Sequence, residues 1–247
     1  MAKIKYRIGT AGWSVPAPHK NLFAAKGSHL ERYSQVFNAV EINSSFYRDH
    51  KGSTYSRWSE SVPKDFLFFV KLNKIFTHEQ KLKVNEGQLV NTLSGINELG
   101  EKFGALLVQL PSSLIYVEKM AHTFFKKLRE HYQVAVVFEP RNLSWTDGLS
   151  LLEEFNISKV FADPKTCSIP KWEQKSPVMY QRLHGSPQIY KSSYSEKDLD
   201  SLAAQMRKAS AKCESAWSIF DNTAQFHATT NALDLMKKLD GRDVFDR

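Results

Sequence analysis

Eight short apolar runs, separated by stretches with helical periodicity, recur along the chain, and this alternation limits the folds open to it. The runs begin near Ile4, Ala39, Leu67, Gly104, Val134, Lys159, Val178 and Ser215. Segments such as Ala105-Leu106-Leu107-Val108 and Val134-Ala135-Val136-Val137-Phe138 are apolar at every position. Continuous apolarity suits parallel strands covered on both faces, whereas half-solvated strands alternate.

The intervening stretches carry apolar stripes at helical spacing: Leu30, Tyr33 and Phe37; Leu89, Leu93 and Ile96; Met120, Phe124 and Leu128; Leu199, Leu202, Ala203 and Met206; Ala232, Leu235 and Leu239. Ser28-His29-Leu30-Glu31 has the spacing of a capping box, and Ser195-Glu196-Lys197-Asp198 opens another helix. Eight strand–helix repeats within 247 residues predict one α/β domain over 1–247, a closed (β/α)8 (TIM) barrel in preference to a doubly wound open sheet. Pro164, Pro170 and Pro177 leave little room for a helix between Ala162 and Val178, so a proline-containing loop is expected in place of the sixth helix.

No apolar run reaches the length of a membrane span, and Met1-Ala2-Lys3-Ile4-Lys5 lacks the pattern of a secretion signal. The only cysteines, Cys167 and Cys213, are isolated, with no zinc-ligand spacing and no disulfide framework. A cytoplasmic protein without membrane partners is expected. The net charge of +8 favours anionic partners, but the basic residues are scattered rather than gathered in a nucleic-acid-binding tail.

In a barrel of this type the chemistry sits where strands meet the loops that follow them. Reading those junctions yields a polar set that the strand interiors lack. The second run ends in Glu41-Ile42-Asn43-Ser44-Ser45, whose alternation puts Glu41, Asn43 and Ser45 on one face. Lys71 ends the third run and Gln109 the fourth, Glu139 and Arg141 flank Pro140 after the fifth, and Asp163 follows the sixth. Arg182 and His184 share a face at the seventh, and Asp221 and Asn222 close the eighth. Three aromatics, Trp13, Tyr47 and Trp145, are candidates for stacking against a ligand at the rim, as is Phe46.

The charges in this set nearly cancel, and converging charges in a pocket must pair or shift their pKa values. Glu41, Glu139, His184 and Asp221 are the candidate proton-transfer groups. Asn43, Lys71, Gln109, Arg141, Asp163, Arg182 and Asn222, with the three aromatics, are the candidate substrate contacts. A divalent cation held by Glu41, Glu139 and Asp221 is conceivable, but the interleaved Lys71, Arg141 and Arg182 would oppose it, so no cofactor is expected. Gly9-Thr10-Ala11-Gly12-Trp13-Ser14 has neither Walker nor dinucleotide-binding spacing and reads as a strand-to-loop turn. The nucleophile elbow of α/β-hydrolases and the two-histidine helix of zinc proteases are also missing from the sequence.

Taken together, Ile8-Gly9-Thr10-Ala11-Gly12-Trp13, Val40-Glu41-Ile42-Asn43-Ser44-Ser45-Phe46-Tyr47, Phe68-Phe69-Val70-Lys71 through Thr77-His78, Leu106 to Pro111, Phe138-Glu139-Pro140-Arg141 with Ser144-Trp145, Ala162-Asp163-Pro164, Arg182-Leu183-His184-Gly185 and Phe220 to Ala224 resemble the YecE-like family, also labelled domain of unknown function 72. The resemblance runs nearly end to end and implies a TIM barrel. It implies no reaction, since the activity of that family is not established. Three readings follow: an enzyme, of hydrolase, lyase or isomerase type with carboxylate acid–base groups, acting on a small polar or anionic metabolite; a binding module for nucleic acid or another polyanion; and a barrel plugged by ion pairs.

Overall fold

The structure is a computed structural model and describes residues 5–165, 167, 178–209 and 213–240. Its eight strands are β1 (Lys5–Thr10), β2 (Ala39–Ile42), β3 (Leu67–Lys71), β4 (Phe103–Gln109), β5 (Val136–Glu139), β6 (Ile157–Asp163), β7 (Val178–Leu183) and β8 (Ser215–Phe220). They follow one another around a sheet in the order β1-β8-β7-β6-β5-β4-β3-β2, each neighbouring pair parallel. Helices α1 (His29–Ser34), α2 (Ser44–Tyr47), α3 (Gly52–Glu60), α4 (Glu86–Asn97), α5 (Glu118–His131), α6 (Leu149–Glu154), α7 (Glu196–Ala209) and α8 (His227–Asp240) occur between or after the strands. This is the expected (β/α)8 barrel. Most of the stretch read as a loop in place of the sixth helix lies outside the described residues.

Closure of the ring at β1 and β2 relies on side chains. Asn38 imitates a strand residue: its Oδ1 accepts from Ile8 N at 2.9 Å and its Nδ2 donates to Tyr6 O at 2.9 Å. Farther up, Tyr33 Oη accepts from Thr10 N at 2.8 Å and donates to Ala39 O at 3.1 Å. At the top, Gly12 N donates to Glu41 O at 2.9 Å. Gly9 permits the approach, because a Cβ there would fall 1.9 Å from Ala39 O.

Two apolar layers hold the barrel. Ala39, Phe69, Leu107, Val137, Val160, Tyr180, Trp217 and Ile219 form the interior cluster. Phe69 stacks on Tyr180 with ring centroids 4.3 Å apart, and Gly104 leaves the room that the Trp217 ring fills. Between barrel and helices lie the expected stripes, with Leu30, Leu93, Phe124, Leu199 and Leu235 all buried. Each such side chain contributes roughly 1.5–3 kcal/mol by leaving water.

Helix α1 starts on the expected capping box, with Glu31 N donating to Ser28 Oγ and Ser28 N donating to Glu31 Oε2. Two strand starts differ from the sequence reading. β5 begins at Val136 rather than Val134, because the carbonyl of Val134 is taken by Arg129 Nη1 at 2.9 Å. β6 begins at Ile157, two residues before Lys159; the buried but polar Ser158 breaks the apolar run there.

Candidate functional site

On six of the eight strands the apolar inward face gives way to a polar residue at the next inward position. Glu41 lies two residues beyond Ala39, Lys71 beyond Phe69, Gln109 beyond Leu107, Glu139 beyond Val137, Arg182 beyond Tyr180 and Asp221 beyond Ile219. Since strand side chains alternate, this spacing stacks all six polar groups in one layer above the apolar interior.

Arg182 is the hub of that layer, 1% exposed. Its Nε and Nη2 grip Glu41 in a bidentate pair at 3.0 and 2.8 Å. Nη1 reaches Glu139 Oε2 at 2.9 Å and Gln109 Oε1 at 3.2 Å, and Nη2 also reaches Asp221 Oδ2 at 3.2 Å. Tyr180 donates its hydroxyl hydrogen to Glu41 Oε2 at 2.5 Å. Burial pushes the carboxyl groups of Glu41 and Glu139 up, but the charge and hydrogen bonds of Arg182, joined by Lys71 and Tyr180 at Glu41 and by Arg141 at Glu139, together outweigh it, leaving Glu41 below the usual range and Glu139 at about 2. Arg182 itself is held above its ordinary value: its burial opposes the charge, and the surrounding carboxylates more than compensate. The guanidinium sits among Glu41, Glu139 and Asp221, in the place a divalent cation would need. The metal-ligand cluster found among the described residues is elsewhere, at exposed Glu86, Glu130 and His131 on the surface.

Toward solvent the layer is less completely paired. Arg141 donates from Nε to Glu139 Oε1 at 2.7 Å and from Nη2 to Gln109 Oε1 at 3.0 Å; its side chain is 25% exposed, and among the described residues Nη1 has no partner. Lys71 lies with Nζ 4.1 Å from the centre of the Phe46 ring, and among the described residues it makes no ion pair. Burial, aided by the Arg182 charge, brings the Lys71 ammonium down to about 8. Burial also raises the Asp221 carboxyl to about 6 against the pull of Arg182. His184 is brought down to about 4 by burial and by Arg182, whose Nη1 lies 3.0 Å from His184 Nε2. A guanidinium only donates, so Nε2 accepts and the imidazole is neutral.

Several candidates fall elsewhere. Asp163 is out of phase with inward Val160 and accepts from Tyr194 Oη at 2.8 Å on the outer side. Asn222 follows inward Asp221, so it too faces out, donating to Asn231 Oδ1 at 2.9 Å and to Ser192 O at 3.0 Å. Trp145 is a core residue rather than a rim aromatic: it is 1% exposed and donates from Nε1 to Leu114 O at 2.9 Å. Asn43 does not share a strand face with Glu41, because β2 ends at Ile42 and Asn43 already has helical backbone. Tyr47 is 71% exposed, packed edge-on against Phe46.

Trp13 and Asn43 meet at an open cavity of about 430 Å3 formed by the loops after β1 and β2, together with Gly12, His29 and Ser44. Asn43 Oδ1 is buried there and has no hydrogen-bond partner among the described residues. The Gly12 loop offers no amide cradle at its start, since Ala11 N and Gly12 N both donate to strand carbonyls. It is the strand-to-loop turn expected, with Gly12 at φ +80°.

Sequence reasoning gave no site role to Tyr180, His78 or Tyr190, and placed Phe46 only among the rim aromatics. Tyr180 had no mark beyond its place in an apolar run. Phe46 forms the wall beneath Lys71, and His78, edge-on to Phe46, feels the charges of Lys71 and Arg141. Tyr190, at φ +67°, packs edge-on to His184 and is coupled to Asp221. A non-glycine residue in that conformation often marks a functional loop, but the sequence alone does not display it.

Comparison with known proteins matches residues 7–246 to the family described as "Protein of unknown function DUF72". The UPF0759 protein YecE of Escherichia coli K12 is 28% identical over 106 residues, which covers 43% of this chain and 38% of that protein. The chain thus matches well under half the length of that relative. The crystal structure of a DUF72 family protein from Enterococcus faecalis V583 superposes with a TM-score of 0.81 at 21% identity, covering 96% of both chains. One from Thermotoga maritima MSB8 gives 0.75 at 23% identity, covering 95% of this chain and 99% of that one. These likenesses establish a shared barrel.

Proposed function

The chain belongs to the DUF72 family of proteins of unknown function, and from the geometry of its barrel top we propose that it is an enzyme acting on a small anionic metabolite. The observation that carries this reading is the division of the polar layer into two parts. Glu41, Arg182, Glu139 and Gln109 are buried and bonded to one another, and they form a rigid floor. Arg141 and Asp221 are bound to that floor on one side and retain unused capacity on the other, and Lys71 rests beside it on the Phe46 ring, with no ion pair among the described residues.

A barrel plugged for stability alone would pair its outer cations as fully as its inner ones, because an unpaired buried charge is costly. Here the guanidinium edge of Arg141 receives a carboxylate or phosphate group, and Lys71 contacts the substrate beside it. Asp221 moves the proton, since a carboxyl group raised to about 6 titrates close to neutrality. Glu41 and Glu139, both locked on one guanidinium, position Arg182 and Arg141 rather than exchange protons. The cavity at Trp13 and Asn43 accepts the neutral remainder of the molecule.

The test is a thermal-stability screen with small mono- and dicarboxylates and phosphorylated sugars. A ligand at a hundred times its dissociation constant stabilises the fold by about 2.7 kcal/mol. We expect a saturable rise in midpoint for at least one class, lost in Arg141→Ala while that variant keeps its own ligand-free midpoint. No response across the panel, or an equal response in Arg141→Ala, would overturn the proposal.

A further inference from the structure

We infer that Lys71 is a nucleophile that forms an imine with the carbonyl group of a short oxo acid or oxo phosphate. This rests on the reading that Arg141 anchors an anionic substrate, and it goes further by naming the reacting atom and the functional group it attacks.

The argument starts from position. Lys71 is the last residue of β3, 9% exposed, so its Nζ belongs to the polar layer and not to bulk water. A buried ammonium ordinarily lies against a carboxylate. Among the described residues Lys71 has none within 4.0 Å, although its strand shares a rim with three. Arg182 engages all three carboxylates, with Arg141 sharing Glu139 and Tyr180 sharing Glu41, and the repulsion of Arg182 on Lys71 opposes the pull that Glu41 and Glu139 exert from a distance. On one side Nζ meets the face of Phe46, which excludes water and fixes the direction of the amine. Burial without a paired carboxylate, beside the Arg182 charge, favours loss of the proton and outweighs the ring face, which by itself favours the ammonium.

The neighbours suit the rest of the step. Arg141 belongs to the same layer and its charge is felt at Lys71, so a carboxylate or phosphate held by its Nη1 would carry an adjacent carbonyl carbon toward Lys71. The neutral amine attacks that carbon; the N–C bond forms as the carbonyl π pair moves to oxygen, and one proton passes from the nitrogen to that oxygen to give the carbinolamine. A proton delivered to the carbinolamine hydroxyl lets it leave as water, so that the C–O bond breaks as the nitrogen lone pair forms the C=N bond of the protonated imine. Asp221, whose carboxyl is part-exposed in this layer, supplies and recovers the proton. No oxidant or reductant is needed, and the products are the imine and one water. The imine then serves as an electron sink for cleavage or proton exchange at the neighbouring carbon.

The full chain is incubated at pH 7 separately with pyruvate, glyoxylate and dihydroxyacetone phosphate, quenched with sodium borohydride and mapped by peptide mass spectrometry. Hydride converts the imine into a stable secondary amine, so the modified lysine is identified directly. We expect one adduct per chain, on Lys71, formed on the order of tenfold to a hundredfold faster than on surface lysines, because a lower pKa leaves that much more free amine. The first two probes against the third distinguish a carboxylate anchor from a phosphate one. Lys71→Arg, checked for an unchanged melting midpoint, should leave only slow surface labelling; mapping of the wild-type chain is decisive even where that variant fails to fold. Absence of a Lys71 adduct with all three probes, or labelling spread evenly over surface lysines, would overturn the inference. If Arg141-dependent stabilisation by anions persists without an adduct, imine formation alone falls; if neither is seen, the anion reading falls with it.

Discussion

Arg182 illustrates how one residue can decide the character of a site. Its N–H groups are committed to Glu41, Glu139, Gln109 and Asp221, so its removal would strand buried carboxylates in an apolar barrel. Arg182→Leu is expected to lower unfolding free energy by at least roughly 3–5 kcal/mol in urea denaturation, the cost of breaking a buried pair; Arg182→Lys should rescue little, since a point charge cannot reproduce the bidentate fork. Asp221 is expected to behave in the opposite sense. Its carboxyl titrates near 6 in the fold against 3.8 as an ordinary aspartate, so the folded state holds more protons between those values. Stability therefore falls as pH rises through that window, and above about 6 the full penalty applies. Asp221→Asn is accordingly expected to be the more stable protein at pH 7, by on the order of 1–3 kcal/mol, with the advantage shrinking toward pH 4 in paired urea titrations. A constant difference across that range would refute the assignment.

At the level of elements, the seam between β1 and β2 is the place where closure is won by side chains. Tyr33→Phe removes a hydroxyl that serves Thr10 N and Ala39 O and should cost about 1–3 kcal/mol by leaving those groups unpaired. Gly9→Ala would drive a methyl group into Ala39 O, and a loss of at least roughly 3 kcal/mol in unfolding free energy, read by urea denaturation, is expected, near the upper end for overpacking. Element existence was legible in the sequence: continuous apolar runs gave parallel strands, and Ser28 with Glu31 gave the start of α1. Edges were less so, because Ser158 is polar yet buried and Val134 is apolar yet outside its strand. Phase was legible too, but strand ends alone do not reveal it. Asp163 and Asn222 were grouped with their neighbours by proximity to a strand end, whereas counting in twos from Val160 and Ile219 turns both outward. Trp145 needed tertiary contacts, since nothing local separates a rim aromatic from one that packs on Phe138.

Across the whole molecule, a barrel wall of apolar side chains ends in one polar layer, and the cations of that layer lie within a chain of net charge +8. Such a field attracts anions generally, so salt dependence separates the classes of partner. A small anion held by Arg141 and Lys71 should lose only modest affinity between 50 and 200 mM salt, whereas a polynucleotide making several phosphate contacts would lose on the order of a thousandfold; a steep slope with single-stranded RNA or DNA would move the function to nucleic acid. The identity of the layer was readable from strand ends, but its partition into floor and open edge was not, because pairing depends on which carboxylates Arg182 reaches across the barrel. That partition is the central claim, and a crystal structure of the protein soaked with phosphate or a small carboxylate tests it directly. The expected result is an anion bound to Arg141 Nη1 and close to Lys71 Nζ, with the bonds from Arg182 to Glu41 and Glu139 intact. An anion seated instead on Arg182, with either glutamate released, would contradict it.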